Sequence, residues 1–184
     1  PASGVMFFIA AVYGAVLSYI SLYAVECGID NIGLFFTAIA VAMLISRPIS
    51  GRWSDRGGTN QVVFIGHLTV AIGMVMTGLS HTVASFCMSG AVLGVGFGFC
   101  IPTLQAVAVR PASRHRRGAA TATFFAAFDL GIGLGAVIWG YAAGVIGYQA
   151  MFFSTLLPLA LAGAIYSFFK DVPQQTSPAD DCSS

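Results

Sequence analysis

The run Leu34-Phe35-Phe36-Thr37-Ala38-Ile39-Ala40-Val41-Ala42-Met43-Leu44-Ile45 holds twelve residues without a charge. A very different stretch follows it: Arg47-Pro48-Ile49-Ser50-Gly51-Arg52-Trp53-Ser54-Asp55-Arg56-Gly57-Gly58. The first does not alternate polar with apolar residues, as the ~10-residue strands of a membrane barrel do. It reads as a helix apolar all round. The second crowds four charges and three glycines into a short space. An apolar helix that stops at a charged, glycine-rich turn is a segment leaving a bilayer.

Composition carries that reading to the whole chain. Of 184 residues, 8% are charged and 57% hydrophobic, and the mean hydropathy is +0.85. A soluble domain averages about 25% charge, so this chain cannot coat a water-facing surface. Disordered chains are polar and charged. A net charge of +1 gives no basic field for nucleic acid. The expected class is an all-α integral membrane protein, with residues 1–170 as a six-helix bundle. At about 20 residues per span, the helices fall near Gly4–Val25, Ile32–Ser50, Gln61–Leu79, Val83–Val109, Ala119–Val145 and Ala150–Phe169. The polar tail 171–184, with Pro173 and Pro178, is expected to be disordered and cytoplasmic.

Charge sets the orientation. All eight Lys and Arg residues fall on the side shared by the second loop, the fourth loop and the tail, whereas Glu26 and Asp30 lie between helices one and two. The positive-inside rule makes the basic side cytoplasmic. Both termini then lie inside, as an even helix count requires. The expected place is a cell membrane, the bacterial inner membrane. The chain opens on Pro1 with no charged leader, so a signal peptide is not expected, and it reads as a piece of something longer. Cys27, Cys87, Cys100 and Cys182 show no metal spacing. Cys27 and Cys87 both fall near the outer face, which leaves a disulfide open beside plain packing.

The two halves echo each other. Gly14 precedes Ser21-Leu22 and Ala24-Val25, and at the same spacing Gly96 precedes Thr103-Leu104 and Ala106-Val107. Gly51 and Gly58 after helix two match Gly140 and Gly147 after helix five. Three-helix units that enter from opposite sides would be inverted repeats, a known transporter device; chance among 22 glycines is the other reading. Helix four adds Gly90, Gly94 and Gly98, a groove for close helix approach, then Pro102, expected to bend the inner half.

Asp129 is the one charge deep within a span, about ten residues or ~15 Å into helix five. A central Asp costs roughly 2.5–3.5 kcal/mol. Eight Leu, Ile, Phe and Val residues between Phe124 and Ile138 offset about 2.4–4.8 kcal/mol. Insertion is marginal, so the carboxylate is expected to face protein or water. Two readings follow: a proton- or cation-binding group in a transport cavity, or a hydrogen bond that fixes helix packing. His67 reads as packing. In the second loop, Gly51, Gly57 and Gly58 permit a tight turn. Asp55 is an acid among bases, placed to brace the N-terminus of helix five or simply solvated.

The pattern Gly51-x-x-x-Asp55-Arg56-x-Gly58, preceded by Arg47-Pro48, resembles the cytoplasmic signature loop of the major facilitator superfamily, in the form found in the second half of bacterial efflux-type members. Arg116-Arg117-Gly118-Ala119-Ala120, then Phe124 through Gly131, then Gly140 and Gly147-Tyr148, resembles helix eleven of that group. The resemblance covers nearly all of the chain except the tail, and it implies helices seven to twelve of a twelve-helix fold. It also implies a cytoplasmic gating loop of Arg47, Gly51, Asp55, Arg56 and Gly58, with Arg110 meeting Asp55. Thr59-Asn60 replace the basic residues that often end the family loop, so a complete charge relay is not implied. Helices one, two, four and five would border the central cavity. Tyr19, Tyr23 and Gln105 are then candidates to line it, and Tyr23 fits an interfacial aromatic equally well.

The expected function is half of a secondary active transporter that exports small molecules, drug or metabolite, by alternating access with proton coupling through Asp129. A non-transporting fragment or assembly module, and an uptake permease of the same superfamily, are the alternatives. An intramembrane serine protease would need Gly-x-Ser-Gly with a His within the membrane; Ser89-Gly90 follows Cys87-Met88 instead, and no enzyme, cofactor or metal is expected. The expected partners are a small-molecule substrate, protons, the lipid bilayer, and an N-terminal six-helix half or a second copy.

Overall fold

Without water to satisfy them, unpaired backbone N–H and C=O groups cost several kcal/mol each, so apolar runs cross a bilayer as helices. A computed structural model describes residues 2–170 in this form: α1 (Ala2–Glu26), α2 (Gly33–Trp53), α3 (Thr59–Gly78), α4 (Val83–Val109), α5 (Arg117–Ser154) and α6 (Leu156–Lys170). The tail 171–184 lies outside the described residues.

Four continuous helical stretches are long and apolar enough to cross a membrane. Two of them, Gly33–Gly78 with 46 residues and Arg117–Phe168 with 52, are about twice the ~20 residues a bilayer takes. Each doubles back at one glycine. Gly57 stands at φ +87° and Gly147 at φ +80°, the left-handed region that side chains with a Cβ avoid. Six helical segments result, each about the length of one crossing.

The first four helices fall within three residues of the sequence expectation, and the expected gap between the fifth and sixth, residues 146–149, falls on the Gly147 reversal. After Gly147 the chain is helical again at once, and a second, smaller break comes at Thr155. Pro158 has no N–H for the Ser154 carbonyl, and the neighbouring bond from Leu159 N to Thr155 O is stretched to 3.4 Å. Leu156–Lys170 alone has 15 residues, or ~22 Å. Residues 148–154 supply the missing length.

Packing runs across the two triplets rather than within them. The two most extensive contacts join α2 to α4 and α1 to α5. Both pairs run parallel. Gly90 faces Phe35, Gly94 faces Ile39 and Ala42, and Gly98 faces Ser46; Gly131 faces Phe7 and Gly135 faces Ala11. In each case a glycine without a Cβ lets the partner backbone come close. Exchanging α1–α3 for α4–α6 turns one pair into the other, which is the symmetry of an inverted repeat. α3 runs antiparallel to α4, through Gly66 against Cys100 and Gly73 against Leu93. α4 stays helical through Pro102.

Candidate functional site

Asp129 stands 12 residues into α5, about 18 Å from Arg117 at 1.5 Å per residue. Its side chain is exposed. At 100° per residue, α5 has three sectors. Phe124, Gly131, Gly135 and Trp139 are buried, and the Trp139 indole N–H donates to Ala11 O of α1 at 3.0 Å. Leu130, Leu134, Val137, Ile138 and Tyr141 form an exposed bulky sector. Asp129 shares the third with Ala122, Ala126, Gly133, Ala136 and Gly140, all small. Among the described residues it takes part in none of the hydrogen bonds or ion pairs of the bundle.

The tyrosines expected to line a cavity are tied to backbone carbonyls. The Tyr19 hydroxyl donates to Ala136 O at 2.6 Å, its ring lies 6.3 Å from Tyr148, and it fills the space beside Gly140. It therefore borders the small sector of α5, two turns from Asp129. Tyr23 is only 3% exposed. Its hydroxyl donates to Gly78 O at 2.9 Å, and its ring lies between Phe86 and Phe152. Its polar atom thus caps the end of α3. Gln105 is half-buried on α4. His67 contacts Leu159 O through Nε2 at 2.6 Å. A carbonyl only accepts, so Nε2 carries the proton and links α3 to α6.

At the arginine-rich end, the Ser54 and Thr59 hydroxyls lie 3.0 Å apart across the turn. The Trp53 ring covers Gly58, where a Cβ would collide with it. Arg47, Asp55, Arg56 and Arg110 are exposed, and Gly51 is half-buried. Asp55 and Arg110 share no hydrogen bond or ion pair among the described residues. Two serines that the sequence reading passed over tie the loop to the bundle. Ser46 reaches Gly94 O at 3.5 Å and Ser50 reaches Gly98 O at 3.2 Å. Their i, i+4 spacing opposite glycines four apart was the available signal.

At the opposite end, the Cys27 Sγ lies 3.8 Å from the His81 Nδ1 and 3.8 Å from Ser80 O. A cleft of about 430 Å³ is lined there by Tyr23, Glu26, Cys27, His81, Tyr148 and Gln149, among others. Burial pushes the Cys27 thiol up, and the Glu26 charge adds to it, against a contact with Tyr23 that lowers it. Cys27 and Cys87 are both free, so no disulfide joins them. Cys182 lies outside the described residues.

Six helical segments packed as exchanged triplets, four of their continuous stretches apolar and long enough to cross a membrane, define a multi-pass membrane protein. The sequence model of the Major Facilitator Superfamily matches residues 2–181, and the chain belongs to that family. It is 30% identical over 170 residues to Multidrug resistance protein MdtG of Dickeya zeae, covering 89% of this chain and 41% of that protein. It is 28% identical over 176 residues to the Staphylopine export protein of Staphylococcus aureus, covering 91% and 43%. A crystal structure of the peptide transporter POT in complex with sulfate shares the fold, with a TM-score of 0.77 at 22% identity over 97% of this chain and 40% of that one. The chain thus spans about two fifths of the length of these relatives.

Proposed function

We propose that this chain is the C-terminal six-helix half of a secondary active exporter of small molecules, drugs or metabolites, that works by alternating access and couples export to protons through Asp129. The observation that carries the reading is the placement of Asp129 on the small-residue sector of α5, apart from both the α1 contact and the bulky apolar sector. A carboxylate turned to acyl chains costs roughly 2.5–3.5 kcal/mol or more. A wetted passage shared with a facing bundle, either an N-terminal half or a second copy, removes that cost. Small residues around it leave room for water and substrate. The family membership and the export and resistance named in its relatives support the same reading. The loop of Arg47, Gly51, Asp55, Arg56, Gly58 and Arg110 acts as the cytoplasmic gate, with Asp55 meeting Arg110 in another stage of the cycle. Both termini face the cytoplasm of a bacterial inner membrane.

The test is Asp129→Asn in the complete transporter, assayed in everted vesicles. The variant should insert and show the parent's thermal unfolding, yet lose substrate accumulation driven by a pH gradient. Substrate exchange without a gradient should persist. Gradient-driven accumulation equal to the parent's would remove Asp129 from coupling.

A further inference from the structure

The cleft opposite the arginines differs chemically from the rest of the molecule. Every Lys and Arg lies towards the other end, while Glu26 and Asp30 flank this one. The helices α1 and α3 both finish here, at Glu26 and Gly78, and the carbonyls at a helix C-terminus carry partial negative charge. The partial positive charge of the α4 N-terminus is already met by its Thr82–Ser85 capping box. The field of the two carboxylates and these carbonyls draws a cation here, against the helix start at Tyr148 that also borders the cleft.

Two good metal donors stand in that field at a fixed separation. Cys27 follows α1 in a turn closed by Gly28 N to Val25 O at 2.9 Å and Ile29 N to Ala24 O at 2.9 Å, with Gly28 at φ +78°. His81 directly precedes the Thr82 cap. Both donors are thus placed by helix ends rather than by free loop. Zinc binds thiolate sulfur at about 2.3 Å and imidazole nitrogen at about 2.0–2.1 Å. With Sγ and Nδ1 3.8 Å apart, one ion reaches both at an S–metal–N angle of about 120°, close to its tetrahedral preference. No third His, Cys, Asp or Glu completes the set among the described residues, so water or a ligand of the ion fills the open positions.

We propose that Cys27 and His81 form a two-residue site for one thiophilic divalent cation of the zinc class, at the end of the bundle opposite the arginines. Binding replaces the thiol proton, which leaves to solvent, and keeps the metal's oxidation state. The site clasps the end of α1 to the α3–α4 connection, so the bound ion rigidifies this end of the bundle.

Co²⁺ alone is the probe, added to the purified chain in detergent under reducing conditions without thiol reductant. The parent should develop a thiolate-to-cobalt charge-transfer band, and Zn²⁺ should displace it. Cys27→Ser should abolish the band, His81→Ala should weaken binding at least tenfold, and Cys87→Ser should leave it intact. Co²⁺ should also raise the Tm of the parent and leave that of Cys27→Ser unmoved. Absence of the band, its survival in Cys27→Ser, or unchanged affinity in His81→Ala would each overturn the proposal. Asp129→Asn should bind Co²⁺ like the parent, so the site and the coupling role fail separately.

Discussion

The Tyr19 hydroxyl shows how a candidate cavity-lining side chain also carries a structural bond. It reaches a carbonyl 117 residues away, at 2.6 Å, and no pattern in the sequence could announce that partner. Tyr23 is the same case, with Gly78 O as its acceptor. Membrane helices make such bonds because an unpaired hydroxyl in hydrocarbon is costly. Tyr19→Phe should lower stability by about 0.6 kcal/mol, and by no more than ~1.7, when the chain is unfolded by denaturant in detergent. A loss well above that range would mean the hydroxyl serves more than Ala136. Asp129 is the contrasting residue. Its depth in the helix was legible, because it follows from residue counting alone; a sheltered, lipid-free setting is part of the proposed function. Which sector of α5 it occupies followed only from the packing of Phe124, Gly131 and Gly135 on α1.

At the scale of elements, glycine spacing marks which helix faces touch. Gly90, Gly94 and Gly98 read as a groove in the sequence, and α2 fills it. The sequence did not name α2 as the occupant, since any helix with small or flat residues would fit. A Cβ on Gly94 would meet Ile39 O and the Ala42 methyl, whereas Gly144 has open space around it. Gly94→Val should therefore cost about 1–3 kcal/mol through overpacking, and Gly144→Val should stay within about 0.5. Thermal unfolding of both variants in one detergent checks the contrast, and equal losses would remove α2–α4 packing as the cause. The sixth segment, expected from Ala150, starts at the Gly147 reversal and is interrupted once more for a backbone reason. Thr155 marks the break because Pro158 withholds a donor, while apolar patterning continues through it undisturbed.

For the whole molecule, charge asymmetry is read directly from the sequence, and the orientation it implies is the proposal to test. In a background with Cys87, Cys100 and Cys182 changed to Ser, the native Cys27 and an introduced Ser113→Cys give a two-sided test. Ser113 is exposed beside the α5 start. An impermeant maleimide should modify Cys27 only from outside intact cells, and the residue-113 thiol only in everted vesicles. Modification of both from one side would refute the six-crossing layout. Co-expression with an N-terminal half asks the larger question: restored transport would support the half-transporter reading, and failure would favour a non-transporting module.

The exchange of helices between triplets also has a bearing on biosynthesis. α2 makes little contact with α3, its successor in the chain. Its main seat is the glycine face of α4, where Gly90 follows Phe35 by 55 residues. At roughly 5–20 residues per second, the ribosome needs about 3–11 s to deliver that seat. During the interval α2 has no helix partner and rests on its own apolar surface in lipid. Arg47, Arg52 and Arg56 stand at one end of it, so in the proposed orientation the charges that set direction also help hold the newborn helix until its mate arrives.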